Sequence, residues 1–76
     1  IELDEKHAII EVAVPDSWQG HSIGELDIRR KYGVNILGVK RSDKTDVNVS
    51  SETMLDSSVR LLVLGENQLL KKHFHL

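Results

Sequence analysis

The stretch Ser22–Ile36, SIGELDIRRKYGVNI, decides the fold. Ser22 and Glu25 stand three apart, the spacing of a capping box. The Ser22 hydroxyl accepts from the Glu25 backbone N–H, and the Glu25 carboxylate accepts from the Ser22 backbone N–H. A helix therefore begins here. It is predicted to run to Tyr32-Gly33, where glycine takes the left-handed conformation that ends a helix. At 100° per residue Ile23 and Leu26 share one face, while Ile28 and Tyr32 lie nearly opposite. A helix with two apolar faces needs two surfaces to pack on: its own sheet and something further.

Strands flank this helix on both sides. Upstream, Ala8–Val14 (AIIEVAV) alternates, with Ala8, Ile10, Val12 and Val14 on one face and His7, Ile9, Glu11 and Ala13 on the other. Pro15 ends its ladder. The turn after it carries one large aromatic, Trp18, which is expected to cover the end of the sheet beside Pro15. Downstream, Val34–Arg41 (VNILGVKR) reads as a strand with Val34 and Ile36 set against Asn35, Leu37 and Val39. A polar turn at Ser42–Lys44 leads to Thr45–Val49, where Val47 and Val49 share a face. Ser50–Ser58 is a polar connection pinned by Met54 and Leu55. Val59–Leu64 (VRLLVL) is the most continuously apolar run and reads as a buried strand. Asn67 is placed to cap a last short helix from Gln68 to Phe74. The order β-α-β-β-β-α predicts an α+β domain, with a helix packed on a mostly antiparallel sheet.

With 76 residues and no cysteine, the chain is one small domain without disulfides or thiolate metal sites. A core of this size supplies ~3–5 kcal/mol, so a homodimer or attachment to a larger protein is expected to support it. Residues 1–6, IELDEK, read as an acidic, mobile remnant of a linker, with the domain proper spanning 7–76. No apolar run approaches the ~20 residues that cross a bilayer as a helix. The formal net charge is −2, and only Trp18, Tyr32 and Phe74 are aromatic, which disfavours a nucleic-acid polymer as partner.

Chemistry-bearing clusters are few. His73 and His75 diverge if the last segment is helical and have no third ligand nearby in sequence, so they read as a solvated terminal segment with no metal. There is no nucleophile elbow and no Gly-rich phosphate loop, and no catalytic residue is assigned. Ile23–Ile36 differs. It mixes Asp27, Arg29, Arg30 and Asn35 with Ile23, Ile28 and Ile36, which suits a flat, anionic ligand such as a nucleotide. An amphipathic helix with a charged outer face has the same composition.

The string VPDSWQGHSIGELDIRRKYGVNILGVKR resembles the TrkA-C, or RCK-C, domain family: a strand ending in Pro, a G-x-S-I-G-E-L helix start, R-R-K-Y-G, then a strand into basic residues. ETMLDSSVRLLVLGENQLL is similar to the same family's closing half, so the resemblance covers about Ala8 to Leu70. It implies a two-fold homodimer, placed behind a nucleotide-binding domain in a cytoplasmic regulator of potassium uptake. That regulator forms an octameric ring beneath a membrane potassium-conducting subunit. It further implies no catalytic activity and no cofactor, but a regulatory ligand, cyclic di-AMP, held in the dimer cleft to inhibit uptake. Carried across by position, Ile23, Ile28 and Ile36 would wall the adenines, Arg29 would meet a phosphate, and Asp27 and Asn35 would bond polar edges. Two departures from the family pattern, Ser58-Val59 in place of Gly-Asp and a missing Pro near Ser50-Ser51, are expected to lie clear of that ligand segment.

Overall fold

A computed structural model describes all 76 residues. The fold is α+β: a four-stranded sheet in the order β1-β4-β2-β3, antiparallel throughout, with every helix feeding the core on one of its faces. The strands are β1 (His7–Ala13), β2 (Asn35–Arg41), β3 (Lys44–Asp46) and β4 (Val59–Glu66), and a single 3-10 turn spans Asp16–Trp18.

β4 is central. Its Val59, Leu61, Val63 and Gly65 are buried, and across the ladder Leu61 faces Val12 while Val63 faces Ile10. The apolar run is therefore covered on one face only. Leu62 and Leu64 lie on the other, with Ile9 opposite Leu64 and Glu11 opposite Leu62. On that outer face Glu11 accepts from Arg60 at 2.8 Å and from Lys40 at 3.4 Å, joining β1 to its neighbour β4 and, across it, to β2.

β2 departs from simple alternation. A register shift between Ile36 and Gly38 leaves Leu37 bulged, so Val39 turns to the core side opposite Leu61 together with Ile36. The expected grouping of Val39 with Asn35 and Leu37 fails for that reason. β3 is also shorter than Thr45–Val49. The Asp46 carboxylate accepts from the Asn48 backbone N–H at 2.8 Å, a local turn that takes the chain out of the sheet and leaves Val47 67 % exposed.

The largest difference lies in the decisive stretch. The capping box forms as read, with Ser22 Oγ accepting from Glu25 N at 3.1 Å and Glu25 Oε1 from Ser22 N at 3.0 Å. The helix then breaks at Asp27, which sits at φ 49°, ψ 50°, giving α1 (Ile23–Leu26) and α2 (Ile28–Tyr32). The break re-aims the second piece. Ile28 becomes 3 % exposed in the core, and Ile23, Leu26 and Tyr32 pack against that same cluster. The two apolar faces thus converge on one core, and Ile23, Leu26 and Tyr32 stay only partly buried in the single chain.

α3 (Asn67–Phe74) starts one residue earlier than read, with Glu66 as its N-cap. Asn67 instead donates from its side chain to the Glu5 carbonyl at 3.2 Å. Residues 1–6 fold back on β1: the Asp4 carboxylate accepts from Lys6 and His7 N–H groups at 2.8 Å each, and Ile9 N donates to Ile1 O at 2.8 Å.

Trp18, 2 % exposed, anchors an aromatic group at the end of the sheet. Its ring lies 4.9 Å from Tyr32 and 5.5 Å from Phe74, and His73 meets the Tyr32 ring edge-on at 4.9 Å. His73 is thus packed, whereas His75 is exposed. Burial, with a smaller contribution from the Lys72 charge, pushes the His73 pKa below the usual 6.5. The fold therefore favours the neutral ring, and this contribution to stability is present above pH 6.5 and lost as the pH falls through the lowered value. Hydrogen bonds to the Asp4, Glu11, Glu25 and Asp56 carboxylates hold them below their usual 3.8 or 4.5, a contribution lost only at more acid pH. Thermal melts from pH 8 to pH 3 are expected to fall in two stages. His73→Phe removes the upper stage and leaves the lower; an unchanged upper stage would show that His73 is not its source.

Candidate functional site

A cavity of about 190 Å3 opens between α1, α2, the start of β2 and the connection after β3. Ile23, Ile28 and Ile36 form apolar walls, Val34 and Val49 extend them, and Arg29, Asn35 and Ser50 stand at the polar side. The break at Asp27 makes this possible. It sends Ile28 inward from α2 while Ile23 approaches from α1, so two residues that a continuous helix would hold apart border one space.

Five of the six residues singled out in sequence line the cavity; Asp27 does not. Its carboxylate accepts from Arg30 Nε instead, and its own backbone supplies the joint between the helices. Val34, read only as a strand residue, and Val49 and Ser50 are the lining residues that sequence reading missed; Val49 and Ser50 are the distant ones. The expectation that the Ser50 neighbourhood lies clear of the ligand segment is overturned, because Ser50 borders the same cavity as Ile23 and Arg29. Val49 and Ser50 lie some two dozen positions from Ile23, in a segment without periodicity, and nothing local announces that they return to it.

The two arginines have different partners. Arg30 is paired with Asp27, whereas Arg29 lies within ion-pair distance of no carboxylate. Arg29 Nε donates to Asn35 Oδ1 at 2.8 Å. That bond fixes the plane of the guanidinium and leaves its two terminal amino groups available as a fork, the geometry that meets a phosphate or carboxylate bidentately. The Asn35 amide nitrogen is left as a donor beside the Ile walls. The site therefore combines a flat apolar slot, one oriented donor and one uncompensated cation. No three His, Cys, Asp or Glu side chains gather closely enough to hold a metal ion, and no helix is long and apolar enough to cross a membrane.

Residues 7–74 match the TrkA-C domain family. The Ktr system potassium uptake protein C of Bacillus subtilis (strain 168) is 32% identical over 65 residues, covering 86% of this chain and 29% of that protein. The chain thus spans less than a third of that relative's length. Among solved structures, the RCK C domain of the potassium transport protein KtrA, in complex with cyclic di-AMP, superposes with a TM-score of 0.80 at 29% identity, covering 91% of this chain and 81% of that one. The RCK_C domain dimer of Streptococcus agalactiae BusR, also in complex with cyclic di-AMP, superposes at 0.71 with 22% identity, covering 93% and 91%, and supports the fold alone.

Proposed function

We propose, from the premise that this chain belongs to the TrkA-C domain family, that it is the ligand-sensing domain of a potassium-transport regulator and binds cyclic di-AMP between two copies of itself. The observation that carries the reading is the Arg29 fork, oriented by Asn35 and without a carboxylate partner, at the edge of an isoleucine-walled cavity. The solved KtrA domain in complex with the same ligand supports it.

Size argues for two copies. Pockets that enclose a drug-sized ligand run from about 300 to 1,000 Å3, so this cavity of about 190 Å3 suits one base rather than a dinucleotide. A two-fold axis beside it supplies the second half-site, each protomer presenting the same patch to one half of a symmetric ligand. Adenine stacks between the isoleucines, Asn35 reads a polar edge, and Arg29 meets a phosphate. Asp27 acts from behind, by holding Arg30 away and turning Ile28 inward. Within a full regulator the dimer belongs to an octameric cytoplasmic ring, peripheral to the membrane through a potassium-conducting subunit, and ligand binding lowers uptake. The alternative is a dimerisation module of such a ring with no ligand of its own.

Thermal melts with a panel of cyclic dinucleotides separate the two. At a ligand concentration of 100 Kd the folded state gains about 2.7 kcal/mol. Shared by two chains that unfold together, that raises the melting temperature by roughly 5–10 °C. Cyclic di-AMP is expected to give that shift and to hold the chain as a dimer in sedimentation at micromolar concentration. A folded dimer that no cyclic dinucleotide stabilises favours the alternative, and a ligand-indifferent monomer removes both.

A further inference from the structure

The far wall of the cavity, Val49 and Ser50, belongs to a connection without regular structure, and its position is set elsewhere. The first-turn N–H groups of α1 have no partners within the helix. Two of them are met by this connection: Gly24 N donates to Ser51 O at 2.8 Å and Ile23 N to Thr53 O at 3.0 Å. On the far side Gly20 N donates to Leu55 O at 2.8 Å and Leu55 N to His21 O at 3.0 Å. Leu55 itself is fully buried, which fixes the lower end of the segment.

The tightest approach is at Gly24. A Cβ there would lie 2.8 Å from both Ser51 Cβ and Ser51 O, and 3.3 Å from Ser51 Cα. Glycine is required by this approach, not by backbone conformation, since Gly24 is an ordinary helical residue. All three atoms in the way are backbone or Cβ, with no flexible end to swing aside. A methyl group at position 24 therefore moves Ser51, and with it the adjoining Ser50 and Val49.

We infer that Gly24, although it does not line the cavity, is a positioning residue for the ligand, its missing side chain letting the Val49–Ser51 segment close as the wall opposite the sheet. This deepens the proposed function and rests on it. The helix cap and the ligand wall become one unit: the carbonyls that satisfy α1 also place the surface against which a base would lie.

Titration calorimetry of the intact chain with cyclic di-AMP tests this. Gly24→Ala is expected to weaken binding by on the order of tenfold, the loss of about one well-made contact. Adding Ser51→Gly, which removes the Cβ but leaves the Ser51 carbonyl oxygen in place, is expected to recover part of that loss, an effect that a general destabilisation of α1 would not show. Val49→Ala removes the wall's own side chain without touching the Gly24 contact and is expected to weaken binding comparably at near wild-type melting temperature, so the wall is tested even if Gly24→Ala folds poorly. Wild type failing to bind removes the ligand reading and this inference together. Wild type binding with Gly24→Ala equally tight, absence of rescue by Ser51→Gly, or unchanged binding by Val49→Ala overturns the role of Gly24 and its wall alone.

Discussion

Arg29→Ala is expected to lose at least a hundredfold in affinity for cyclic di-AMP while the fold is retained. Arg29 is exposed and makes one side-chain bond, to Asn35, so its removal costs the isolated domain little. For the ligand the loss is larger. A hydrogen bond between a guanidinium and a phosphate contributes ~1.5–3 kcal/mol where water is partly excluded. Two-fold symmetry counts it twice, giving ~3–6 kcal/mol, and each ~1.4 kcal/mol is tenfold in Kd. Truncation also frees Asn35, whose amide orientation depends on the Arg29 bond, so Arg29→Ala and Asn35→Ala should be less than additive in combination. Arg30 is the control: its guanidinium is committed to Asp27 and lines no part of the cavity, so Arg30→Ala should bind within a few-fold of wild type. Equal losses at the two arginines would move the phosphate away from Arg29.

Trp18→Ala is expected to have the largest effect on stability of any single change in the chain. The indole is 2 % exposed and touches both Tyr32 from α2 and Phe74 from α3, so it ties the two helical pieces to the end of the sheet. Truncating a buried Trp costs about 3–5 kcal/mol, comparable with the whole ~3–5 kcal/mol that a core of this size provides. The isolated variant should be substantially unfolded at 25 °C by circular dichroism. A melting temperature within about 3 °C of wild type would contradict it, since that corresponds to less than about 1 kcal/mol in so small a domain. Because Tyr32 closes the helix that carries Ile28 and Arg29, loss of the indole should also loosen the cavity in whatever fraction stays folded.

What could be read from sequence divides along physical lines. Ser22 and Glu25 specify their helix start through bonds spanning three residues, and alternation in Ala8–Val14 fixes which side of β1 is buried, so both were legible. The break at Asp27 was not. Aspartate tolerates the left-handed region but does not require it, and what selects it here is Ile28 reaching the core. The bulge at Leu37 was hidden for a related reason: one extra residue in β2 changes which side chains face inward without altering composition. Arg29, Asn35 and the isoleucines lie within one short stretch whose composition equally fits an amphipathic helix, and it is the family resemblance that singles them out. Val49 and Ser50 join them only through tertiary packing against α1, at a distance along the chain where periodicity carries no information.

The central claim is a ligand shared between two copies, and the most direct measurement is the stoichiometry of cyclic di-AMP binding by isothermal titration calorimetry on the wild-type chain. On the proposed reading one cyclic di-AMP binds per two chains, in a single transition, because a cavity of about 190 Å3 beside a single Arg29 fork is sized for one base. Saturation at one ligand per chain, or no heat above dilution across the concentration range in which the chain is folded, would contradict it.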